Sequence, residues 1–229
     1  MYNIKTIRGT IFCQPIGYSK EFVASLDNIV NDYLPVLVRE IRDNGALQVL
    51  PIWQLSSPDE QEVIMFNGEK IDIVKVMEKE IDTNDVIAFS NRCKTVFSRI
   101  LEIKGYSCSR IALAPSIIVT ENGVTSVSLY NRLFRILDFQ GTNLESSNLS
   151  QVYRVNQSLG TNVIIINHVV NFHAESELVS NQRRRRYIGD FDINTMDKPE
   201  YKFSIDDVKQ FFDMAPSNFS LFYNLFFSK

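Results

Sequence analysis

Residues 162–195 constrain the fold of this chain more than any other stretch. Asn162–His173 reads NVIIINHVVNFH, a polar turn follows, and Arg183–Thr195 reads RRRRYIGDFDINT. In the first arm Ile164, Ile166, His168, Val170 and Phe172 fall on one face. Val163, Ile165, Asn167, Val169, Asn171 and His173 fall on the other. In the second arm Tyr187, Phe191 and Ile193 share a face, opposed by Arg184, Arg186, Asp190, Asp192 and Asn194. Both arms are therefore strands with one buried face, and the rest of the chain must cover that face.

The other segments supply that cover. Tyr2–Ile16 alternates as a strand, and Ser19 can cap a helix carrying Phe22, Leu26, Ile29, Val30 and Tyr33, ended by Pro35. Leu37–Ile41 fits either an extension of that helix or an irregular link. Leu47–Leu55 is a strand, and Glu62–Phe66 and Lys70–Val74 flank Asn67-Gly68-Glu69, a strong hairpin signal, giving a three-stranded meander. Asp82 or Thr83 caps a helix with Val86, Phe89, Cys93, Val96, Phe97, Ile100 and Leu101 in one stripe, ended by Gly105.

Ser107–Thr120 is a strand, with Pro115 placing it near an edge or a bulge. Glu121-Asn122-Gly123 turns the chain, Val124–Leu137 fits a helix or a strand, and Gln151–Asn156 is a strand leading into the opening pair. Ser204 with Asp207 resembles a capping box, and Ile205, Val208, Phe212, Ala215, Phe219, Phe222 and Phe226 follow at helical spacing, with Pro216 kinking or breaking the helix. The expected class is α+β, an antiparallel sheet with helices packed on one face. Its order reads as a β-α-β-β-β-α unit over residues 1–105 and a second over 106–229, together one compact domain. Such a duplication would look like the TATA-binding-protein or helix-grip architectures, an analogy that carries no function.

The mid-chain strand SRIALAPSIIV at 109–119 and the late strand GDFDINT at 189–195, which precedes a C-terminal helix, resemble segments of a sporadically distributed family of uncharacterised prokaryotic proteins. The resemblance runs from Phe66 onward. The chain departs from that family's Pro-rich opening, since Pro15 follows the first strand. The family brings no activity to individual residues. Its patchy distribution implies accessory genes of mobile elements or phage defence.

Composition narrows the function classes. The net charge of −3 and an isoelectric point near 5.5 give a field that repels nucleic acid and anionic membrane, so nucleic-acid binding needs a local patch. Cys13, Cys93 and Cys108 form no CxxC pair and sit in apolar runs as small hydrophobes, which fits a reducing, cytoplasmic setting. No window approaches the ~20 apolar residues of a membrane helix. There is no GxSxG, GxxxxGK[ST], GxGxxG, HExxH or Cys/His zinc spacing. No cofactor is expected.

The candidate residues lie on the opening strand pair. Arg183, Arg184, Arg185 and Arg186 are suited to phosphate or carboxylate, with Tyr187 as a stacking group. Alternatively, Arg184 and Arg186 pair with Glu175, Glu177 and Asp190 across the sheet. Asp190 and Asp192 stand about 7 Å apart on one strand face, a spacing found in some metal sites. A hairpin centred near Leu178 sets His168 opposite Gly189, Asn167 opposite Asp190, Asn171 opposite Arg186 and His173 opposite Arg184. That register leaves His173 roughly 17 Å from Asp192, against a shared acid–base site. His168 is expected to be a core histidine.

The sequence reading is a non-catalytic binding or assembly protein, oligomeric, partnered by itself or by a neighbouring gene product. The alternatives are a nucleic-acid or nucleotide binder through Arg183–Arg186, and a metal-dependent hydrolase through Asp190 and Asp192.

Overall fold

A computed structural model describes residues 2–41, 49–80, 82–120, 148–160, 162–179 and 182–227. Nine strands form one antiparallel sheet: β1 (Tyr2–Cys13), β2 (Leu34–Ile41), β3 (Val49–Ser56), β4 (Glu62–Asn67), β5 (Lys70–Glu80), β6 (Cys108–Thr120), β7 (Asn148–Leu159), β8 (Asn162–Val179) and β9 (Gln182–Thr195). Their spatial order is β2-β3-β4-β5-β1-β6-β9-β8-β7. Helices α1 (Lys20–Ser25), α2 (Thr83–Lys104) and α3 (Ile205–Phe227) complete the fold, with α2 and α3 packed together. The class is α+β, as the patterning predicts. The turn at 121–123, the segment 124–137 and the polar run up to residue 147 lie outside the described residues.

Period-2 patterning places the core. One line of paired residues crosses the whole sheet as Pro35, Leu55, Ile64, Ile73, Gly9, Leu113, Ile193, His168 and Tyr153. Most of that line is buried, and it faces the helices. At its middle Gly9 admits α2: a β-carbon there would lie 2.4 Å from Cys93 Sγ and 3.4 Å from Phe97. Gly189 plays the same part between Phe172 and Ile117, where a β-carbon would meet Phe172 at 2.6 Å.

The helices begin and end where capping chemistry dictates. Asp82 accepts from the Asn84 amide at the start of α2, and Gly105 ends it at φ 63°. Ser204 and Asp207 form the reciprocal box: each backbone N–H donates to the other's side chain, at 2.8 and 3.2 Å. The α2 stripe from Val86 to Leu101 is fully buried, as are Val208, Phe211, Phe212, Ala215 and Phe219 of α3. Each Val, Leu, Ile or Phe among them contributes about 1.5–3 kcal/mol through burial. The helix α3 is assigned continuously through Pro216.

Several expectations need correction. Ser19 does cap α1, but the helix stops at Ser25, and Leu26 and Val30 reach the core from turns. Pro35 does not end a helix; it sits in edge strand β2, where a missing N–H is tolerated. The first unit therefore has one strand more than expected and its meander has four. Strand β6 is central, which removes the edge of the two alternatives Pro115 offers, an edge or a bulge. Its ladder to β9 passes from Leu113–Ile193 to Ser116–Asp190, skipping the proline. The β8–β9 ladder runs to the pair Val179–Gln182, so Asn167 meets Asn194, His168 meets Ile193, Asn171 meets Asp190 and His173 meets Ile188. The shift of four residues keeps every side chain on its predicted face but changes its neighbours.

Candidate functional site

The face of the sheet turned away from the helices is polar at its centre. The line beside the core line runs Val36, Gln54, Met65, Asp72, Thr10, Ala112, Asn194, Asn167 and Arg154. Thr10 donates to Asp72 at 2.6 Å, and Lys70 pairs with the same carboxylate at 2.8 Å. Thr10, Asp72 and Asn194 are buried despite their polarity.

Asn194 Oδ1 is the hub of this row. It accepts from Arg110 Nη2 at 3.3 Å and from Asn167 Nδ2 at 3.1 Å. The Arg110 guanidinium also lies over the Phe12 ring at 5.5 Å. Three buried atoms around the hub have no hydrogen-bond partner among the described residues: Arg110 Nε, Asn167 Oδ1 and Asp192 Oδ1. Burial pushes the Asp192 carboxyl above the usual aspartate range; a hydrogen bond from Asn194 and the charges of Arg110, Arg8 and Lys70 pull the other way. Burial is the largest of these influences and sets the direction.

Arg110 also borders a cleft of about 530 Å³ at the end of β1 and β6, shared with Cys13, Cys108, Glu69, Tyr201 and Lys202. Burial raises the thiol pKa of all three cysteines, and that of Cys13 reaches about 11. All three are buried, in keeping with the apolar context of each, and their raised pKa values keep them protonated near neutral pH.

The sequence-predicted candidates divide. Asp190 accepts from Ser116 at 2.6 Å and lies 3.8 Å from His173 Nδ1. His173 was expected opposite Arg184; the register shift of four sets it opposite Ile188 and beside Asp190 instead. Asp192 stands apart from that pair, in the Arg110 environment. Among the described residues no three His, Cys, Asp or Glu side chains gather around one ion position. His168 is buried on the core side, and burial lowers its pKa. For Arg183 to Tyr187 the structure defines strand register, with Arg184 at the position opposite Glu177 and Arg186 opposite Glu175; their side chains lie outside the described part.

Sequence reasoning misses Arg110, Asn194 and Asn167, whose meeting depends on the β8–β9 register and on β6, distant in sequence, lying beside β9. The available signal was the run of polar residues on the outward face of β9, Asp190, Asp192 and Asn194. It also misses the buried network at the other end of the sheet. There Glu62 accepts from Tyr33 at 2.8 Å and from Arg92 Nε at 2.9 Å, while Arg92 Nη1 donates to the Ile29 carbonyl at 2.6 Å. That network ties the α1–β2 connection and β4 to α2.

No helix of the described residues is long and apolar enough to cross a membrane. No family model matches this chain, and a search of curated proteins gives no match.

Proposed function

We propose that this chain is a non-catalytic binding or assembly protein that takes a protein strand onto the β7 edge of its sheet. The observation that carries the reading is the contrast between the two edges. Among the described residues β2 and β7 each have a neighbour on one side only. Strand β2 carries Pro35, Arg39 and Glu40, the residue types that blunt an edge. Strand β7 has no proline and a single charge, Arg154, over twelve residues, and exposes Val152 at 54%, Tyr153 and Val155. An unblunted edge with apolar side chains on both faces is suited to strand addition.

The topology supports a second element of the reading, that the chain is two related units. Strands β1 and β6 pair at the centre, each flanked by the last strand of its own unit, β5 or β9, and each unit closes on a long helix. Two units joined in this way leave β2 and β7 as opposite ends of one sheet. The role in an accessory or defence-type system rests on the resemblance of residues 109–119 and 189–195.

The nucleic-acid reading is less well supported, because register opposes Arg184 and Arg186 to positions held by glutamates. The test is light scattering on the eluting protein, alone and co-expressed with its neighbouring genes. A complex that dissociates with Val152→Lys plus Val155→Lys, while the variant keeps its fold, is the expected result. A strictly monomeric protein in both preparations, or a complex indifferent to the substitutions, rejects strand addition at β7.

A further inference from the structure

We propose that Cys13 and Cys108 are a dithiol site that closes to a cross-strand disulfide when the protein meets a low-molecular-weight disulfide. The two residues are directly opposed in the β1–β6 ladder, at its end. The register slips between Phe12–Arg110 and Cys13–Cys108, which turns Cys108 onto the core face, the face that Cys13 shares with Ile7 and Ile11.

Backbone hydrogen bonds fix the type of pair. Cys108 donates to the Phe203 carbonyl at 3.1 Å and accepts from the Phe203 amide at 2.7 Å, so both of its backbone groups point away from β1. The Cys13 amide donates to Glu69 of the β4–β5 turn at 2.8 Å, away from β6. Cys13 and Cys108 are therefore a non-hydrogen-bonded antiparallel pair, the class in which α-carbons approach to about 4.5 Å and side chains stand closest. A disulfide needs α-carbons about 4.4–6.8 Å apart. Both thiols are free, and both border the 530 Å³ cleft, so a small disulfide has a route to them. Cys93 lies under Gly9 in the α2 stripe, outside the cleft.

The chemistry is two exchange steps. Cys13, the more exposed of the two, loses its proton and its thiolate attacks one sulfur of the small disulfide, releasing one small thiolate. Cys108 then loses its proton, attacks the Cys13 sulfur of the mixed disulfide and displaces the second small thiolate. Two protein thiols are oxidised, one small disulfide is reduced to two thiols, and the two protons end on those thiols. Because burial holds the Cys13 thiol near pKa 11, the reaction is slow at neutral pH and accelerates about tenfold per pH unit below that value.

The test uses the native full chain and oxidised glutathione at a series of pH values, followed by alkylation under denaturing conditions and peptide mapping. The expected product has lost two hydrogens, contains a Cys13–Cys108 peptide pair and retains an alkylatable Cys93, with a rate that climbs with pH. Cys108→Ser, checked for native circular dichroism, is expected to stop at a glutathione adduct on Cys13. Failure of native protein to form the pair while unfolded protein oxidises, or a bond that involves Cys93, overturns the proposal.

Discussion

Ser90 of α2 donates its hydroxyl hydrogen to the carbonyl of Phe212, the group in α3 that Pro216 leaves without a helical partner. A proline has no N–H to offer the carbonyl four residues before it, and a buried unpaired carbonyl is costly. The two helices thus meet at a hydrogen bond that exists because of the proline. This explains how α3 continues through Pro216 without the break that is one of the two outcomes the sequence predicts.

Ser90→Ala is expected to destabilise the protein by about 1–3 kcal/mol, the cost of orphaning a buried acceptor. In that background Pro216→Ala restores a main-chain donor and recovers part of the loss. Urea unfolding of the four proteins of this cycle measures the coupling, and additive effects would show that the two residues are independent.

Gly9→Ala is expected to cost about 1–3 kcal/mol through overpacking, since the new methyl group meets Cys93 Sγ at 2.4 Å. Cys93→Ala in the same chain removes the clashing sulfur and lessens the effect. Denaturant midpoints of the single and double variants decide it.

Tyr33 gives the protein an alkaline signature. Burial, then its hydrogen bond to Glu62 and the charge of that carboxylate, push the phenol from 10.0 to about 12. The folded value lies above the unfolded one, so this stability is complete below pH 10 and is lost as pH rises towards 12. Tyr33→Phe is expected to flatten the fall in stability across that window, read by denaturant melts at each pH. Arg92→Met is expected to be harsher, about 3–5 kcal/mol, because it strands the Glu62 charge in a buried setting.

Asp192 works in the opposite direction from a salt-bridged aspartate. Its folded pKa is raised, so its contribution is complete below the unfolded value of 3.8 and is lost as pH rises through the folded value. Asp192→Asn is expected to stabilise the protein at pH 7, with the gain vanishing in strong acid. Thermal melts of both proteins at the two pH extremes test the sign.

Local chemistry was legible in the sequence wherever one short stretch decided the outcome. The caps at Asp82 and Ser204, the Gly68 turn at φ 58° and the buried face of β8 all follow from residues a few positions apart. What sequence left unreadable depends on distant strands. Pro35 and Pro115 look alike as breakers, yet one lies at the sheet edge and the other at its centre, where a skipped pairing accommodates it. Hairpin register escaped because alternation fixes the face and leaves even shifts undetermined. The shift of four is what brings His173 beside Asp190 and sets Asn167 against Asn194.

The central place of β1 has a consequence for how the chain matures on the ribosome. Ile11 is paired on one side with Ile71 and on the other with Ile111, so its neighbours emerge about sixty and about a hundred residues later. At translation speeds of about 5–20 residues per second, β1 waits several seconds with Ile7 and Ile11 uncovered. The β3–β5 hairpins are assembled from adjacent segments and need no such delay. The nascent chain therefore passes through a stage in which its future centre is exposed, and slower elongation across residues 71–111 would lengthen the interval in which Ile7 and Ile11 stay uncovered.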